Sequence, residues 1–184
     1  MVDEHLMIDS AWGRTRTVDG GSHLHARPWA TCALVLAVLL IAGCEQQPVD
    51  APGSLEVTIE DRTFDLELAL TSDQRHQGLS DRESIAEDGG MLFAFPSRQR
   101  LEFVMRRCLV PIDIIFLDAR GRVVATHAMK VEPYDTPDWK LKRYSSQYPA
   151  QFAIELKGGT LSQMDLKRGD PIDLPLERLK RWAR

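Results

Sequence analysis

Two neighbouring arginines and a nearby aspartate are the residues best suited to bind a charged ligand. Arg106 and Arg107 are adjacent, and Asp113 follows them within an otherwise apolar segment. A guanidinium can hold a carboxylate or a phosphate through paired hydrogen bonds, so this cluster could clamp an anion. Adjacent strand residues face opposite sides, so only one of the two arginines can line a given pocket. Since a buried carboxylate needs a partner, a structural ion pair of Asp113 with an arginine, Arg82 included, is the competing interpretation.

Cys108 is the candidate for covalent chemistry in the same region, with His127 as its base. The sequence around Cys108 contains no turn of small residues and no second cysteine. A lone cysteine among apolar residues is more often a small core side chain. The chain also lacks a Ser-His-Asp set with a nucleophile turn and a glycine-rich phosphate loop. We therefore predict no catalytic residue and no cofactor.

The histidines and acidic residues of this region do not predict a metal site. His76 and His127 are far apart in the sequence, and neither belongs to a pair with ligand spacing. Asp135 and Asp138 flank Pro137 and could bind a cation weakly. We expect the two histidines to lie at the surface or in loops, without a metal.

An aromatic and polar segment near residue 145 is a second candidate for ligand binding. Tyr144, Ser145 and Ser146 are consecutive, and Trp139 and Tyr148 lie close by in the sequence. Aromatic faces beside hydroxyl groups suit a sugar or a peptide. The alternative interpretation is that these rings fill the open end of a sheet.

Cys44 predicts a covalent lipid. It ends an uncharged apolar run, residues 30–43, that is too short for a bilayer-spanning helix of ~20 residues but fits the apolar part of a secretory signal. Leu40-Ile41-Ala42-Gly43-Cys44 resembles the bacterial lipobox, in which small residues admit the peptidase and the cysteine sulfur accepts diacylglycerol. An uncleaved apolar helix that happens to end in cysteine is the alternative.

The predicted organisation follows from Cys44. Residues 1–44 form the signal segment with a polar N-terminal extension, and translation could begin at Met1 or Met7. Residues 45–54 have the composition of a flexible linker, 55–175 form one globular β-rich domain, and 176–184 form a basic C-terminal tail, solvated or frayed. Two or more acyl chains on Cys44 would anchor the domain firmly to the cell envelope, facing the periplasm or the exterior. Glu45 follows Cys44 where many bacteria use aspartate as an inner-membrane retention signal, which favours the outer membrane. This rule varies by lineage, so which membrane holds the protein stays open.

The elements that must position these residues are short strands. Residues 55–60 and 64–70 alternate apolar and polar, and residues 111–118 and 122–129 flank a tight turn at Ala119-Arg120-Gly121. Residues 131–149 predict a long loop. The fold class is therefore mainly β (α+β), with a compact antiparallel, partly closed barrel-like sheet and one or two short helices.

Several short motifs occur in one order along the chain: Gln77-Gly78-Leu79, Arg82-Glu83-Ser84, Gly90-Met91-Leu92-Phe93, Met105-Arg106-Arg107-Cys108, Pro111-Ile112-Asp113 and Tyr144-Ser145-Ser146. Together they resemble the bacterial and archaeal family known as domain of unknown function 192, over residues 55–174. The resemblance implies a small, mostly β protein, often secreted or lipid-anchored, with no established reaction. The family's central motif reads Met-Lys-Asn-Thr, so Arg107 and Cys108 replace its Asn and Thr.

Charge and motifs together favour a binding function. The chain carries 23 Lys and Arg against 27 Asp and Glu, a formal net charge of -4, which does not indicate a nucleic-acid partner. We expect a non-catalytic, lipid-tethered binding or envelope-accessory domain, whose ligand is a small anion, sugar or peptide held by Arg82, Arg106, Arg107 and residues 144–146. The alternatives are an extracytoplasmic hydrolase or transferase that uses Asp113 or Cys108, and a structural partner of another envelope protein.

Overall fold

The computed structural model of the chain describes residues 51–184. The predicted signal segment, Cys44 and most of the predicted linker lie outside this range. Six strands, two α-helices and one 3-10 helix make up the described part: β1 Ser54–Ile59, β2 Arg62–Ala69, α1 Ser72–Gln77, β3 Gly89–Phe103, β4 Ile112–Leu117, β5 Val123–Met129, β6 Tyr144–Lys157, the 3-10 helix Leu161–Gln163 and α2 Leu176–Trp182. No helix within residues 51–184 is long and apolar enough to cross a membrane.

The six strands form a single mixed sheet in the order β1-β2-β3-β6-β4-β5. The mainly β prediction is confirmed, with one correction to its detail: the sheet is mixed and not wholly antiparallel. The pair β2–β3 is parallel, because the chain returns through α1 before it enters β3, whereas the other four neighbouring pairs are antiparallel. Among the described strands, β1 and β5 remain the two edges, so the sheet does not close into a barrel.

Strand β6 lies at the centre of the sheet and carries a core on each face. Phe152, Ile154 and Leu156 pack with β1, β2 and the C-terminal region in one cluster. Ala153 belongs to the other cluster, which also contains Ile112, Ile114 and Phe116 of β4. Since successive strand residues face opposite sides, Glu155 lies on the same face as Ala153. This face carries the candidate site described below.

Strand β3 is longer than the sequence pattern indicates. The sequence pattern by itself predicts a strand over residues 91–95 that Pro96 ends, and a second strand over residues 101–105. Instead one strand runs through Pro96, and its register against β6 shifts between Ala94 and Gln99. Proline has no N–H for the ladder and is tolerated at such irregularities. The bend separates an inner part of β3, next to Glu155, from an exposed outer part.

Strand β6 also begins earlier than expected. The predicted loop over residues 131–149 ends at Tyr144, which pairs with Phe103 of β3, and Ser145 pairs with Glu102. These three residues of the predicted ligand loop, 144–146, are therefore strand residues. The predicted hairpin is present as β4 and β5, and the Asp118 carboxylate accepts from the backbone N–H of Arg120 at 2.8 Å.

The C-terminal residues do not form a solvated or frayed tail. Helix α2 is amphipathic, as its sequence indicates, but its apolar side is buried in the first cluster. Leu179 and Trp182 are almost inaccessible to solvent, whereas Arg181 is exposed. The sequence does not predict this burial, because only two positions of the helix are buried and basic residues surround them.

Candidate ligand-binding cleft

A cleft of about 480 Å³ opens on the face of the sheet that carries Glu155. Its walls come from four parts of the chain: α1 with the residues that follow it, the bent strand β3 with the segment after it, the segment between β5 and β6, and the central strand β6. The lining side chains used below are Phe93, Phe95, Phe103, His76, Arg106, Cys108, Asp138 and Glu155.

Glu155 is the buried carboxyl group of the cleft. It pairs with Met91 of β3 and Ile114 of β4, and only 5% of the residue is exposed. Among the described residues its side chain has no hydrogen-bond or ion-pair partner, yet it borders the cleft. Burial raises its pKa from 4.5 to about 8, since a desolvated carboxylate is disfavoured relative to the neutral acid. Glu155 is therefore mostly protonated at neutral pH.

Helix α1 holds its C-terminal end against this carboxyl group. Thr71 and Gln74 form a capping box at the start of the helix, and the N–H of Gly78 donates to the carbonyl of Gln74 at 2.8 Å at its end. Gly78 has φ +50, and a Cβ built there would lie 3.8 Å from Oε2 of Glu155. The glycine thus supplies a backbone conformation that ends α1 directly above Glu155.

Three phenylalanines form the apolar wall. Phe93 and Phe103 meet edge to face, with ring centroids 5.0 Å apart and planes at 86°. Phe95 and Phe103 have a centroid distance of 6.4 Å and an angle of 74°. Edge-to-face pairs stabilise such a cluster beyond simple burial. The rings give the interior of the cleft an aromatic surface next to the Glu155 carboxyl group.

Arg106 lies at the rim of the cleft. Its guanidinium donates to the backbone carbonyl of His76, contacts the His76 ring, and lies 4.0 Å from the Asp138 carboxylate. Its own carbonyl accepts from the hydroxyl of Ser80 at 2.8 Å. These bonds fix the segment after β3 to the segment after α1. Arg106 is the predicted binding residue that the structure does place in the cleft.

Cys108 borders the cleft but is not suited to attack a substrate. The residue is 7% exposed, and its thiol is directed to the carbonyl of Arg106 at 3.6 Å. Burial, followed by the negative charge of Glu155, raises the pKa of the thiol to about 12. Because the thiolate is the nucleophile, Cys108 is unreactive at neutral pH.

Arg107 and Arg82 bind carboxylates elsewhere. Arg107, with φ +53, pairs with Asp81 at 2.8 Å and donates to the hydroxyl of Tyr134 at 2.9 Å. Arg82 pairs with Glu67 at 2.7 Å beside a smaller depression next to β2. Neither arginine lines the main cleft, so the structure does not bring the three predicted arginines together.

Asp113 lies on the opposite face of the sheet from Glu155. Its neighbours Ile112 and Ile114 pack in the cleft-side cluster, so Asp113 points to the other side. There its Oδ2 accepts from the backbone N–H of Leu161 at 2.7 Å. The expected ion pair with an arginine is wrong: the partner is a backbone amide at the start of the 3-10 helix, which satisfies the buried carboxylate equally directly.

The three residues of the predicted aromatic and polar segment serve structural roles. Tyr144 is buried in the cleft-side core, and its hydroxyl accepts from the N–H of Lys130 at 3.2 Å. Ser146 is fully buried; it accepts from the N–H of Leu101 and donates to the carbonyl of Tyr148. Ser145 accepts from His127 Nε2 through its carbonyl at 2.8 Å. They fasten β6 to β3 and β5 and do not border the cleft.

Metal-binding side chains do not converge in the described part of the chain. No group of three or more His, Cys, Asp or Glu residues within residues 51–184 could hold a metal ion. His76 contacts Arg106, and His127 stacks edge to face against Phe116 and Tyr144.

Glu155 is a cleft residue that the sequence pattern does not single out, although it carries a signal. Phe152-Ala153-Ile154-Glu155-Leu156 is an apolar strand with one carboxyl group, the same feature that drew attention to Asp113. A carboxyl group in such a strand is buried at a cost unless a partner is found. Only the fold shows that Asp113 has one and Glu155 does not.

Comparison with known proteins places the chain among proteins of unknown function. The profile of the family DUF192, described as "Uncharacterized ACR", matches residues 55–174. A solved protein of unknown function from Novosphingobium aromaticivorans is 28% identical, with a TM-score of 0.56 over 66% of this chain and 84% of that one. A protein from Sinorhizobium meliloti, provisionally described as a transcription regulator, is 29% identical, with a TM-score of 0.53 over 64% and 89%. No curated protein matches the chain.

Proposed function

Because the chain belongs to DUF192, an uncharacterised family, we propose its function from its own residues. It is a lipid-anchored domain of the bacterial cell envelope that binds a small ligand in the cleft beside Glu155. The observation that carries the binding function is the Glu155 carboxyl group, which is buried at a preformed aromatic cleft without a partner from the described residues. Concave sites of a few hundred Å³ that combine aromatic side chains with convergent polar groups are typical of small-molecule binding, and this cleft combines three phenylalanines with a largely polar rim.

Binding is favoured over catalysis by the placement of the reactive groups. A hydrolase or transferase that uses Asp113 or Cys108 would need that side chain accessible and reactive in a cleft. Asp113 is instead buried on the face away from the cleft, where it accepts from the N–H of Leu161, and Cys108 is a buried thiol that stays protonated.

A purely structural role is also less favoured. It would need a broad exposed apolar surface. Tyr134 and Trp139 are the two most exposed large apolar residues of the described part, and the ring of each already contacts a cation, from Arg107 and Lys140 respectively.

The binding function is tested by blocking the cleft. Gln99 is an exposed lining residue, and Gln99→Trp places a large ring at the opening. Ser97→Trp is the matched control, because Ser97 is exposed on the same strand but does not line the cleft. We expect ligand-observed NMR with a fragment library to give hits on the wild type and Ser97→Trp that Gln99→Trp loses. An identical hit list for all three proteins would refute the cleft as the binding site.

The tether is tested separately. The Leu40-Ile41-Ala42-Gly43-Cys44 sequence supports acylation of Cys44 after cleavage of the Gly43–Cys44 bond. We expect radiolabelled palmitate to enter the wild-type protein and not Cys44→Ser, and the label to fractionate with membranes. Equal labelling of both proteins, or of neither, would contradict the anchor while leaving the binding function intact.

A further inference from the structure

We propose that the cleft binds an organic ammonium ion, with its positive charge against Glu155 and its alkyl groups against the phenylalanine rings. This inference rests on the binding function proposed above and names the class of ligand. Three features of the cleft lead to it: the unpartnered carboxyl group, the aromatic wall and the way neighbouring charges are already paired.

The carboxyl group defines the charge of the ligand. A buried carboxylate is costly unless a cation or several donors accompany it. The described residues supply neither to Glu155, although they supply a donor to Asp113 on the other face. A ligand ammonium would provide the missing charge and, where it carries N–H groups, the missing hydrogen bonds.

The aromatic wall suits a cation with an apolar shell. A positive charge is attracted to the face of an aromatic ring, more strongly where water is excluded. Phe93 and Phe103 stand almost perpendicular and thus form a corner beside Glu155 rather than a flat stack. Since Phe93 is almost fully buried and Phe103 is partly exposed, Phe103 is the ring of this pair that an alkylammonium beside the carboxylate would contact.

The other charged groups near Glu155 do not take the place of the ligand. Seven other charged or titratable side chains line the cleft: Arg75 and His76 of α1, Glu102 of β3, Arg106 and Cys108 after β3, and Asp138 and Arg143 before β6. The strand neighbours of Glu155, Met91 and Ile114, are apolar. Arg75 donates to the carbonyls of Leu70, Ala94 and Arg184 and lies over the Phe95 ring, and Arg143 lies 4.0 Å from Glu102. Arg106 is directed to the carbonyl and ring of His76 and toward Asp138. Cys108 remains a neutral thiol, since its pKa is about 12. The charge of Glu155 is therefore available to an incoming cation.

Binding is coupled to proton release. The ammonium pairs with the ionised form of Glu155, whose pKa is about 8 without ligand. Below that pH a bound cation must displace the carboxyl proton to solvent, so each fall of one pH unit weakens binding about tenfold. Above it the carboxylate is already present, and affinity becomes independent of pH.

The experiment compares cations with uncharged molecules of the same shape. Choline and dimethylbutanol form one pair, and butylammonium and butanol form another. Each is titrated calorimetrically into the full chain, purified in detergent, from about pH 6 to pH 10. We expect the cations to bind at least about tenfold more tightly than the alcohols at high pH, and about 100-fold more weakly at pH 6 than at pH 10. Near pH 6.5, about one proton is released for each cation bound.

Glu155→Gln tests the residue itself. The amide has nearly the same shape and matches the neutral acid, so the fold is retained, and we expect the preference for cations and the pH dependence to disappear together. Ammonium and alcohol binding with equal affinity, or carboxylates binding best at low pH, would overturn the ligand class. If Gln99→Trp still abolished that binding, the proposed binding function would stand. If no fragment of any charge bound the wild type, the proposed function would fail as well.

Discussion

The buried Glu155 predicts an unusual dependence of stability on pH. Its folded-state pKa is raised from 4.5 to about 8, so between these values the folded protein holds a proton that the unfolded chain releases. Unfolding is therefore progressively favoured as pH rises from 4.5 to 8, and the effect is constant above 8. A carboxylate in an ion pair has the opposite effect, because its contribution to the stability of the fold is lost as pH falls.

The magnitude follows from the two pKa values. A difference of one in pKa corresponds to about 1.4 kcal/mol. The Glu155 ionisation thus lowers the free energy of unfolding by roughly 3 kcal/mol at pH 7 and roughly 5 kcal/mol at pH 9, relative to acidic solution. Glu155→Gln removes the titration. We expect the variant to match the wild type near pH 4.5 and to exceed it in stability by several kcal/mol at pH 9.

Urea unfolding at a series of pH values measures the difference. Glu56→Gln is the matched control, because Glu56 is exposed on the edge strand β1 and its replacement should leave the wild-type profile unchanged. The m-value should be the same for all three proteins, which shows that stability and not compactness has changed. Parallel pH profiles for wild type and Glu155→Gln would refute both the burial of this carboxyl group and its lack of a partner.

Three further predictions concern the core, the opposite face of the sheet and the thiol. Trp182→Ala should lower the free energy of unfolding by about 3–5 kcal/mol in urea titrations, because Trp182 is buried in the core. Arg181→Ala, at an exposed position of the same helix, should change it by less than about 0.5 kcal/mol. Equal effects of the two substitutions would contradict the packing of α2 against the core. Asp113→Ala should cost about 1–3 kcal/mol in the same assay, because the N–H of Leu161 loses its acceptor, and an unchanged midpoint would argue against that bond. Cys108 should react with a thiol reagent at pH 8 far more slowly in the folded protein than in urea; similar rates would show an accessible thiolate.

The sequence predicts the strand content of the fold well but not its connectivity. Alternation in residues 55–60 and 64–70, and the turn at residues 119–121, identify the β1–β2 and β4–β5 hairpins, because these pairings are local. The parallel pairing of β2 with β3 and the central place of β6 depend on contacts between distant residues, which a local pattern does not report. Helix α2 was misjudged for the same reason, since its burial depends on a surface formed elsewhere.

The candidate site was predicted in part. Arg106 lines the cleft and its neighbour Arg107 does not. Both lie in the turn after β3, where Arg107 has φ +53, so the alternation expected of a strand does not apply to them. Asp113 and Glu155 carry the same sequence signal, one carboxyl group in an apolar strand. They differ in whether a backbone N–H lies within reach, and that depends on the loop opposite each strand. Whether a buried carboxyl group has a hydrogen-bond partner therefore depends on the tertiary structure and cannot be predicted from the strand sequence.

The position of β6 has a consequence for how the protein is made. The last strand to be synthesised is the one that joins β1-β2-β3 to β4-β5. Until residues 144–157 arrive, the newly made chain presents the unpaired edges of β3 and β4, which are the kind of surface that aggregates. The sheet therefore cannot assemble before β6 is synthesised. A chaperone that shields strand edges would raise the yield of folded protein.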